Sequence, residues 1–287
     1  MKVRKAVHSR LIGGEGPLWD HRANKLYWLD IENLQLYEYN PETRKKTKHL
    51  MPERISCIVP YGENSFAAAT KTGISHLYFE NNILKTTPIV SFNSDTNMTS
   101  NDGRCDSMGR FVVGMMHNEY HSGYGKMYIA ASKEFRCFDK GYTIPNGVAW
   151  SKDESKLYVA ESKPGTIYAF DYNIENGSIK NKKILSYIAG SDGLCTDENG
   201  NLWIAQCGLG KVCCLNTKTK TIDYEIKFPA KRVTSCFFGG KNMDTLFVTV
   251  AKWGKKDILK KSFSCGPLYM VENMPVKGIK AHPFKSI

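Results

Sequence analysis

The sequence predicts an all-β fold, a six-bladed β-propeller built from four-stranded blades, on three observations. Short strands rich in aromatic and branched residues recur along the chain, polar turn clusters precede most of them, and long helical periodicity is absent. The strands begin roughly 39 to 47 residues apart, a repeat length suited to a four-stranded blade. They span residues 26–30, 65–69, 110–114, 157–161, 202–206 and 246–250.

A second strand follows each of these, and glycine opens most of the second strands. The second set spans residues 35–39, 73–77, 125–129, 165–169, 210–214 and 266–270. Closing six such hairpin-rich units into a ring removes the exposed sheet edges that promote aggregation. We therefore expect residues 1–287 to form a single propeller domain. The N-terminal segment 3–11 precedes the first unit, and we expect it to pair as the outer strand of the last blade.

The composition limits the class of protein and its surroundings. No apolar run approaches the roughly 18 residues that a membrane span needs, and the basic N-terminus lacks the apolar core of a signal peptide. The nine cysteines are scattered, odd in number and without paired C-x-x-C motifs, so we interpret them as buried reduced thiols. We therefore expect a cytoplasmic protein that does not enter a membrane.

The charge is basic, with 40 Lys and Arg against 28 Asp and Glu and a formal net charge of +12. Such an excess is also typical of proteins that bind nucleic acid or acidic membranes. Here the basic residues concentrate in expected turns and the tail, at 44–46, 180–183 and 252–261, without a helix-turn-helix, zinc-finger or RNA-binding motif. We expect a solvated basic surface that favours anionic small molecules, with neither nucleic acid nor an obligate protein partner.

The segments before the aromatic strands carry polar residues at a shared register. Counting back five residues from the turn residue of four units leads to Glu15, Asn101, Asn146 and Asp192. The same count gives Thr234 in the last unit, and in the second unit it leaves Ser56 and Cys57 as alternatives. Because the first strand of each propeller blade lines the central channel, we expect these side chains to converge there.

The residue types at this register favour a metal site. Each of the four is followed by glycine, directly or after one aspartate, which lets the backbone approach a ligand closely. Two carboxylates brought together repel, and burying them is costly unless a cation is present. All-oxygen donors favour calcium, magnesium or manganese, and zinc also accepts such ligands. A hairpin turn is the alternative for any single Asn-Gly or Asp-Gly, but agreement among four units favours one divalent metal ion.

With these motifs the chain resembles the senescence marker protein/gluconolactonase/luciferin-regenerating enzyme family. The matching segments are 14–20 with 26–31, 101–106 with 109–111, 146–150 with 157–159 and 192–197 with 200–203, and the tail segments 266–269 and 276–279 also resemble the family's last blade. The resemblance therefore covers nearly the whole chain. It implies a six-bladed propeller with one divalent metal ion and, as in several members, hydrolysis of sugar-derived lactones.

The resemblance also implies roles for individual residues. Glu15, Asn146 and Asp192 would ligate the metal ion. Asn101 would lie beside the ion and contact the substrate, which Glu119 would also face. Thr99 stands at a substrate-binding position where the family often has an arginine that contacts sugar hydroxyls, so a less polar or differently shaped lactone is also an option.

We expect a metal-dependent lactonase with these residues in defined roles. The ion would polarise the lactone carbonyl, and Asp192 would accept a proton from the attacking water as the catalytic general base. Asn101 and Asn146 would orient the ester, while Glu15 would serve as a ligand only. The motifs of nucleophile-elbow hydrolases and phosphate-binding loops are absent from the sequence.

Three other functions fit parts of the same pattern. A calcium-binding propeller could buffer or regulate without catalysis, and the same site could hydrolyse another ester, such as an organophosphate or a luciferin precursor. A protein-binding scaffold is the third, suggested by Tyr-Trp-Leu-Asp at 27–30, but that motif occurs once. The seven histidines share no register and are interpreted as surface or packing residues, although His117 with Glu119 could edge the channel mouth.

Overall fold

The structure is a computed structural model that describes residues 1–7, 9, 11–91, 95–131, 134–252 and 266–285. In this part of the chain there are strands, turns and irregular segments but no helix. The strands form six separate four-stranded sheets. The predicted fold class, a six-bladed β-propeller with four-stranded blades, is confirmed. A helix able to cross a membrane is accordingly missing from the described residues.

The first compact unit comprises residues 1–50 and 192–280 and holds three sheets. The first sheet contains, in order, β2 (Gly14–Asp20), β3 (Lys25–Asp30), β4 (Gln35–Asn40) and β5 (Lys45–Leu50). The second contains β18 (Ser191–Thr196), β19 (Leu202–Gln206), β20 (Lys211–Leu215) and β21 (Ile222–Lys227). The third contains β22 (Val233–Gly239), β23 (Thr245–Val250), β24 (Leu268–Glu272) and β1 (Lys2–Val7). Strand β1 pairs antiparallel with β24, so the N-terminal segment supplies the outer strand of that sheet.

The second compact unit comprises residues 51–191 and 281–287 and holds the other three sheets. One contains β6 (Ile55–Tyr61), β7 (Ser65–Thr70), β8 (Gly73–Glu80) and β9 (Ile83–Ser91). The next contains β10 (Met98–Cys105), β11 (Phe111–His117), β12 (Gly125–Ala131) and β13 (Glu134–Tyr142). The last contains β14 (Pro145–Trp150), β15 (Lys156–Glu161), β16 (Thr166–Asn173) and β17 (Ser178–Tyr187). Ser191, the first residue of β18, belongs to this unit by its contacts.

The predicted strands are present, with small shifts of their ends. The aromatic set corresponds to β3, β7, β11, β15, β19 and β23, and the set that follows corresponds to β4, β8, β12, β16, β20 and β24. These strands lie in the middle of their sheets. The aromatic set is covered on both faces, and every residue of β19 and β11 is buried, whereas the second set also contains half-buried residues. Strands covered on both faces carry nearly continuous apolar runs, which made them recognisable in the sequence. The single-domain organisation of residues 1–287 stays a prediction.

Large aromatic side chains fill the cores of both units. In the first unit, Trp19 stacks on Phe247 with ring centroids 5.9 Å apart. In the second unit, Phe111 and Phe284 pack at 6.3 Å, next to the buried Val59 and Val113. Burying an apolar side chain of this size contributes about 1.5–3 kcal/mol relative to leaving it in water. The aromatic residues of the middle strands therefore stabilise each sheet against its neighbours within a unit.

The outer strands are polar, and they correct one expectation about the basic residues. Residues 180–183 lie in β17 rather than in a turn, and Lys45 and Lys46 lie in β5. Most residues of both strands are exposed or half-buried. Lysine on an outer strand keeps the unpaired edge solvated and discourages edge-to-edge association. The predicted basic tail segment 252–261 lies outside the described residues from position 253 onward.

The first strand of five sheets contains a β-bulge. In each, the first strand has one residue more than the partner strand over the same stretch. The bulges lie between Glu15 and Leu18, Ile55 and Cys57, Ser100 and Gly103, Pro145 and Val148, and Val233 and Ser235. A bulge bends the strand and re-aims the side chains of the extra residues. The repeat that the sequence predicts is therefore also a repeat of this local irregularity.

Candidate functional site

Four of the bulges contain a position of the polar register predicted from the sequence, whereas Glu15 pairs with Leu29 directly before the bulge of β2. Asn101 and Asn146 lie within the bulges of β10 and β14, and Thr234 is the extra residue of β22. In β6 the extra residue is Ser56, whereas Cys57 pairs with Ala69. The structure thus resolves the alternative left open in the second unit of the repeat in favour of Ser56.

In the second unit, two of these residues contact the residue just before the next register position. The Asn101 side-chain amide Nδ2 donates a hydrogen bond to the Pro145 carbonyl at 3.0 Å, and Pro145 directly precedes Asn146. Likewise, Ser56 Oγ lies 2.8 Å from Oγ of Ser100, the residue before Asn101. In both cases a side chain at one register position contacts the residue that directly precedes the next register position.

The first unit repeats this arrangement on the residue before Glu15. The Thr234 hydroxyl donates a hydrogen bond to the Gly14 carbonyl at 2.6 Å. Both Thr234 and Gly14 are buried, so the bond is shielded from water. Gly16, the residue after Glu15, has a φ of 53°, a left-handed conformation that glycine adopts without strain. The left-handed conformation of Gly16 on one side of Glu15 and the contact of Thr234 with Gly14 on the other define the path of the backbone around Glu15.

Within the first unit, Glu15 and Asp192 act electrostatically on the same thiol. Burial raises the pKa of Cys207, the negative charges of Asp192 and Glu15 raise it further, and Arg232 partly opposes them. The Cys207 side chain also hydrogen-bonds with Asp192. Cys207 and Arg232 face each other in an isolated antiparallel bridge. The structure thus brings two predicted metal ligands to one neighbourhood.

The backbone that carries Asp192 packs tightly against β22. A Cβ atom added to Gly193 would lie 2.1 Å from Oγ of Ser235 and 2.5 Å from its Cβ. No side chain larger than hydrogen fits at position 193 without movement of β22. Asp192 itself is buried, with 6% of its surface exposed. The glycine after Asp192 is therefore required by packing within the first unit.

Asn146 is held by a short chain of hydrogen bonds in the second unit. Its Nδ2 atom donates to Ser162 Oγ at 3.2 Å, and Ser162 Oγ donates to the Ser191 carbonyl at 2.7 Å. Ser162 follows β15 and is half-buried, whereas Asn146 is buried. No spacing or composition signal in the sequence distinguishes Ser162.

Thr99 contacts a guanidinium group that no sequence motif indicates. Arg54 Nη1 donates to Thr99 Oγ1 at 2.8 Å and to the Ser100 carbonyl at 3.2 Å. Arg54 lies just before β6, so it reaches from one sheet to the first strand of the next sheet in the second unit. A positive charge therefore lies beside Thr99, two residues before Asn101.

Glu119 lies on the connection between β11 and β12, in a cluster with two histidines. Its Oε2 atom is 3.2 Å from His121 Nε2, and its side chain is 76% exposed. The rings of His117 and His121 are stacked, with centroids 4.0 Å apart and planes inclined by 11°. The three groups offer metal-ligand atoms within 4.8 Å of one another.

The stacking argues against a metal ion shared by both histidines in this arrangement. A metal ion bound by an imidazole nitrogen lies close to the plane of that ring. Two nearly parallel rings stacked at 4.0 Å cannot both contain the same ion in their planes, so one ring would have to rotate. In addition, the Glu119 backbone N–H donates to His117 Nδ1 at 3.2 Å and occupies that lone pair. We therefore keep Glu119 as a candidate substrate residue.

The predicted metal ligands have suitable donor chemistry. Glu15 and Asp192 are carboxylates that both act on the half-buried thiol of Cys207, and Asn146 is a buried amide with its nitrogen turned to Ser162. Carboxylate and amide oxygens suit a hard divalent cation, which would also offset the repulsion between the two carboxylates.

The protein is a β-propeller, and the register positions Glu15, Asn101, Asn146 and Asp192 carry two carboxylates and two amides. The chain belongs to the SMP-30/gluconolactonase/LRE-like family, whose sequence profile matches residues 13–252. The predicted family resemblance is confirmed.

Individual relatives match over almost their whole length. A protein of Sulfolobus acidocaldarius is 32% identical over 93% of this chain and 94% of its own. Regucalcin of Danio rerio is 27% identical over 99% of this chain and 98% of its own. A solved luciferin-regenerating enzyme has a TM-score of 0.91 and 28% identity, covering 99% of each chain.

Proposed function

We propose that this protein is a metal-dependent hydrolase that opens a small, sugar-derived lactone. The observation that carries the proposal is the coincidence of Asn101 and Asn146 with strand bulges, together with the shared action of Glu15 and Asp192 on Cys207. Bulges that re-aim polar side chains are over-represented next to active sites. Membership of a family whose description includes gluconolactonase supports the lactone as substrate.

In this proposal Glu15, Asn146 and Asp192 hold one divalent ion, calcium or alternatively magnesium, manganese or zinc. When bound, such an ion supplies positive charge that polarises a carbonyl and favours negative charge on its oxygen. Glu15 contributes a charged oxygen and no proton transfer. Asn146 contributes its amide oxygen, because its nitrogen is committed to Ser162.

Asp192 accepts the proton of the attacking water at a carboxylate oxygen and later returns it to the leaving alkoxide. General-base help of this kind contributes about 10²–10⁴ in rate. The Cys207 thiol hydrogen-bonds with Asp192 and can donate its proton to a carboxylate oxygen there. That contact orients the carboxylate without competing for its role as base.

The substrate contacts are assigned to Asn101, Thr99 and Glu119. The Asn101 nitrogen donates to Pro145, so its oxygen is the atom available to accept a hydrogen bond from a substrate hydroxyl. Thr99 has Arg54 beside it, which supports an oxygen-rich substrate in place of the less polar lactone considered from the sequence.

None of the eight described cysteines is in a disulfide, which supports the cytoplasmic location proposed for the chain.

The competing function is a calcium-binding propeller without catalysis, favoured by the similarity to regucalcin. Turnover of lactones distinguishes the proposed hydrolase from a calcium-binding propeller without catalysis. The purified protein is treated with a chelator and assayed by acid release on a panel of aldonolactones and aliphatic lactones. Calcium, magnesium, manganese or zinc is then added back one at a time.

We expect hydrolysis of at least one aldonolactone that falls at least a hundredfold with chelator and returns with one of the ions. Glu175→Gln, in an exposed turn of the second unit, is a matched carboxylate control that should leave the rate unchanged. Metal binding without turnover of any lactone would favour the calcium-binding function, and turnover insensitive to chelator would contradict the metal role.

A further inference from the structure

We infer that Ser162 is a positioning residue that sets which atom of the Asn146 amide is offered to a cation. The inference rests on the proposed function, because it assigns a task to a residue that supports a proposed metal ligand. Ser162 contacts Asn146 directly and is outside the proposed ligand set. The orientation of the Asn146 amide follows from the protons that the Ser162 hydroxyl, the Asn146 amide and the Ser191 carbonyl can donate or accept.

The proton of the Ser162 hydroxyl has one destination. A serine hydroxyl carries a single proton, and a backbone carbonyl can only accept. Because Ser162 Oγ lies 2.7 Å from the Ser191 carbonyl oxygen, its proton is donated there. Toward Asn146, Ser162 can then act only as an acceptor.

An acceptor at that position fixes the orientation of the amide. The group of Asn146 that faces Ser162 at 3.2 Å must be a donor, which is the NH₂ and not the carbonyl oxygen. The opposite orientation would place Oδ1 against a lone pair of Ser162 Oγ. Oδ1 of Asn146 therefore points away from Ser162 and is the atom left for a hard cation.

The Ser162 hydroxyl is itself held in place by neighbouring backbone contacts. The Ser162 N–H donates to the Ile144 carbonyl at 3.1 Å, and the Glu161 carboxylate accepts the N–H of Ile144 at 2.9 Å. Ser191 Oγ donates to the Glu161 carbonyl at 3.2 Å. The three segments that carry Asn146, Ser162 and Ser191 are thus tied together, so the hydroxyl is pre-organised.

The arrangement around Asn101 shows what Ser162 adds. Asn101 donates to the Pro145 carbonyl directly, with no side chain between them. Asn146 reaches the Ser191 carbonyl only through Ser162. Ser191 is joined by a peptide bond to Asp192. The Ser162 hydroxyl therefore orients the amide of Asn146, one proposed ligand, and also contacts the residue directly before Asp192, another proposed ligand.

The test compares an isosteric pair, Ser162→Thr and Ser162→Val, which differ by a hydroxyl against a methyl group. Binding of Ca²⁺ and Mn²⁺ alone to the chelator-treated protein is measured by titration calorimetry, with thermal unfolding as a check on the fold. Loss of a residue that orients a metal ligand typically weakens metal binding about 10–100-fold. We expect the valine variant to bind about tenfold or more weakly than wild type, and the threonine variant to bind within about threefold of it.

A double-mutant cycle with Asn146→Ala separates positioning from a general structural effect. If Ser162 acts through Asn146, Ser162→Val has no further effect on metal binding once Asn146 is alanine. Equal metal binding by the valine and threonine variants would overturn the inference and leave the proposed function standing. Absence of metal binding by wild type would instead overturn the proposed function, and the inference with it.

Discussion

The side-chain amide of Asn101 donates a hydrogen bond to the carbonyl of Pro145, the residue that precedes Asn146, across a distance of 3.0 Å. The bond joins the first strands of two sheets in the second unit, β10 and β14. It also leaves the Asn101 oxygen as the atom that can accept from a ligand. The two asparagines of the candidate site are therefore coupled through one peptide unit.

Replacing Asn101 should change substrate affinity more than turnover. We expect Asn101→Ala to raise KM for the best lactone about fivefold, the effect of losing one hydrogen bond of about 1 kcal/mol, and to change kcat less than threefold. Steady-state kinetics on a hydroxylated lactone provide the measurement. A large fall in kcat at constant KM would assign Asn101 to the chemical step instead.

Replacing Asp192 should remove the chemical step. Asp192→Asn keeps the shape of the side chain but cannot accept the proton of water, so we expect kcat to fall by about 10²–10⁴. Thermal unfolding should show that the variant remains folded. Activity within threefold of wild type at saturating metal would exclude Asp192 as the general base.

Arg54 should contribute to stability through its contact with a buried residue. Arg54→Met leaves Thr99 Oγ1 without this donor and removes one bond to the Ser100 carbonyl. We expect the free energy of unfolding to fall by about 1–3 kcal/mol, measured by urea denaturation. Arg54→Lys should restore only part of it, because an ammonium lacks the planar fork of a guanidinium. Full recovery by lysine would indicate that charge alone matters.

Gly193 should not accept a side chain. Gly193→Ala places a Cβ 2.1 Å from Ser235 Oγ, so we expect a loss of about 1–3 kcal/mol in unfolding free energy. Combining it with Ser235→Gly removes the two nearest atoms and leaves the Ser235 Cα at 2.8 Å, so it should recover part of the loss. Additive losses in the double variant would show that the clash lies elsewhere.

The turn residue Asp20 should make stability depend on acid pH. Burial raises the pKa of Asp20, but the hydrogen bonds and charge of Arg22 outweigh it, so the pKa is lowered below 3.8 in the folded chain. A carboxyl with a lowered pKa stabilises the folded state above its unfolded pKa, and this contribution is lost as pH falls through the folded value. Asp20→Asn should therefore reduce the difference in unfolding free energy between pH 7 and pH 3. An unchanged difference would contradict the assignment.

The fold could be predicted from the sequence because the signals that define it are local. Each aromatic strand is covered on both faces and bounded by turn residues, and both features lie within one repeat. Outer strands were harder to recognise: residues 180–183 of β17 are charged and solvent-facing, so composition alone suggested a turn.

The candidate site could be predicted only in part. The register of Asn101 and Asn146 follows from the spacing to a turn within each repeat, whereas Ser56 stayed unresolved because a bulge shifts the alternation of the strand by one residue. Arg54 and Ser162 act on residues far away in the sequence, and no spacing marks such contacts. The shared action of Glu15 and Asp192 on Cys207 depends likewise on tertiary packing.

The bulges have a consequence for how such a protein can diversify. An extra residue stands outside the cross-strand ladder, so its side chain can be exchanged with little effect on the pairing of the strands around it. A library varied at Asn101, which lies in a bulge and is half-buried, should then retain cooperative unfolding in most members while altering which molecules are recognised. The residue that determines recognition can therefore change without a change in the strands that support it, and new specificities can arise by single substitutions.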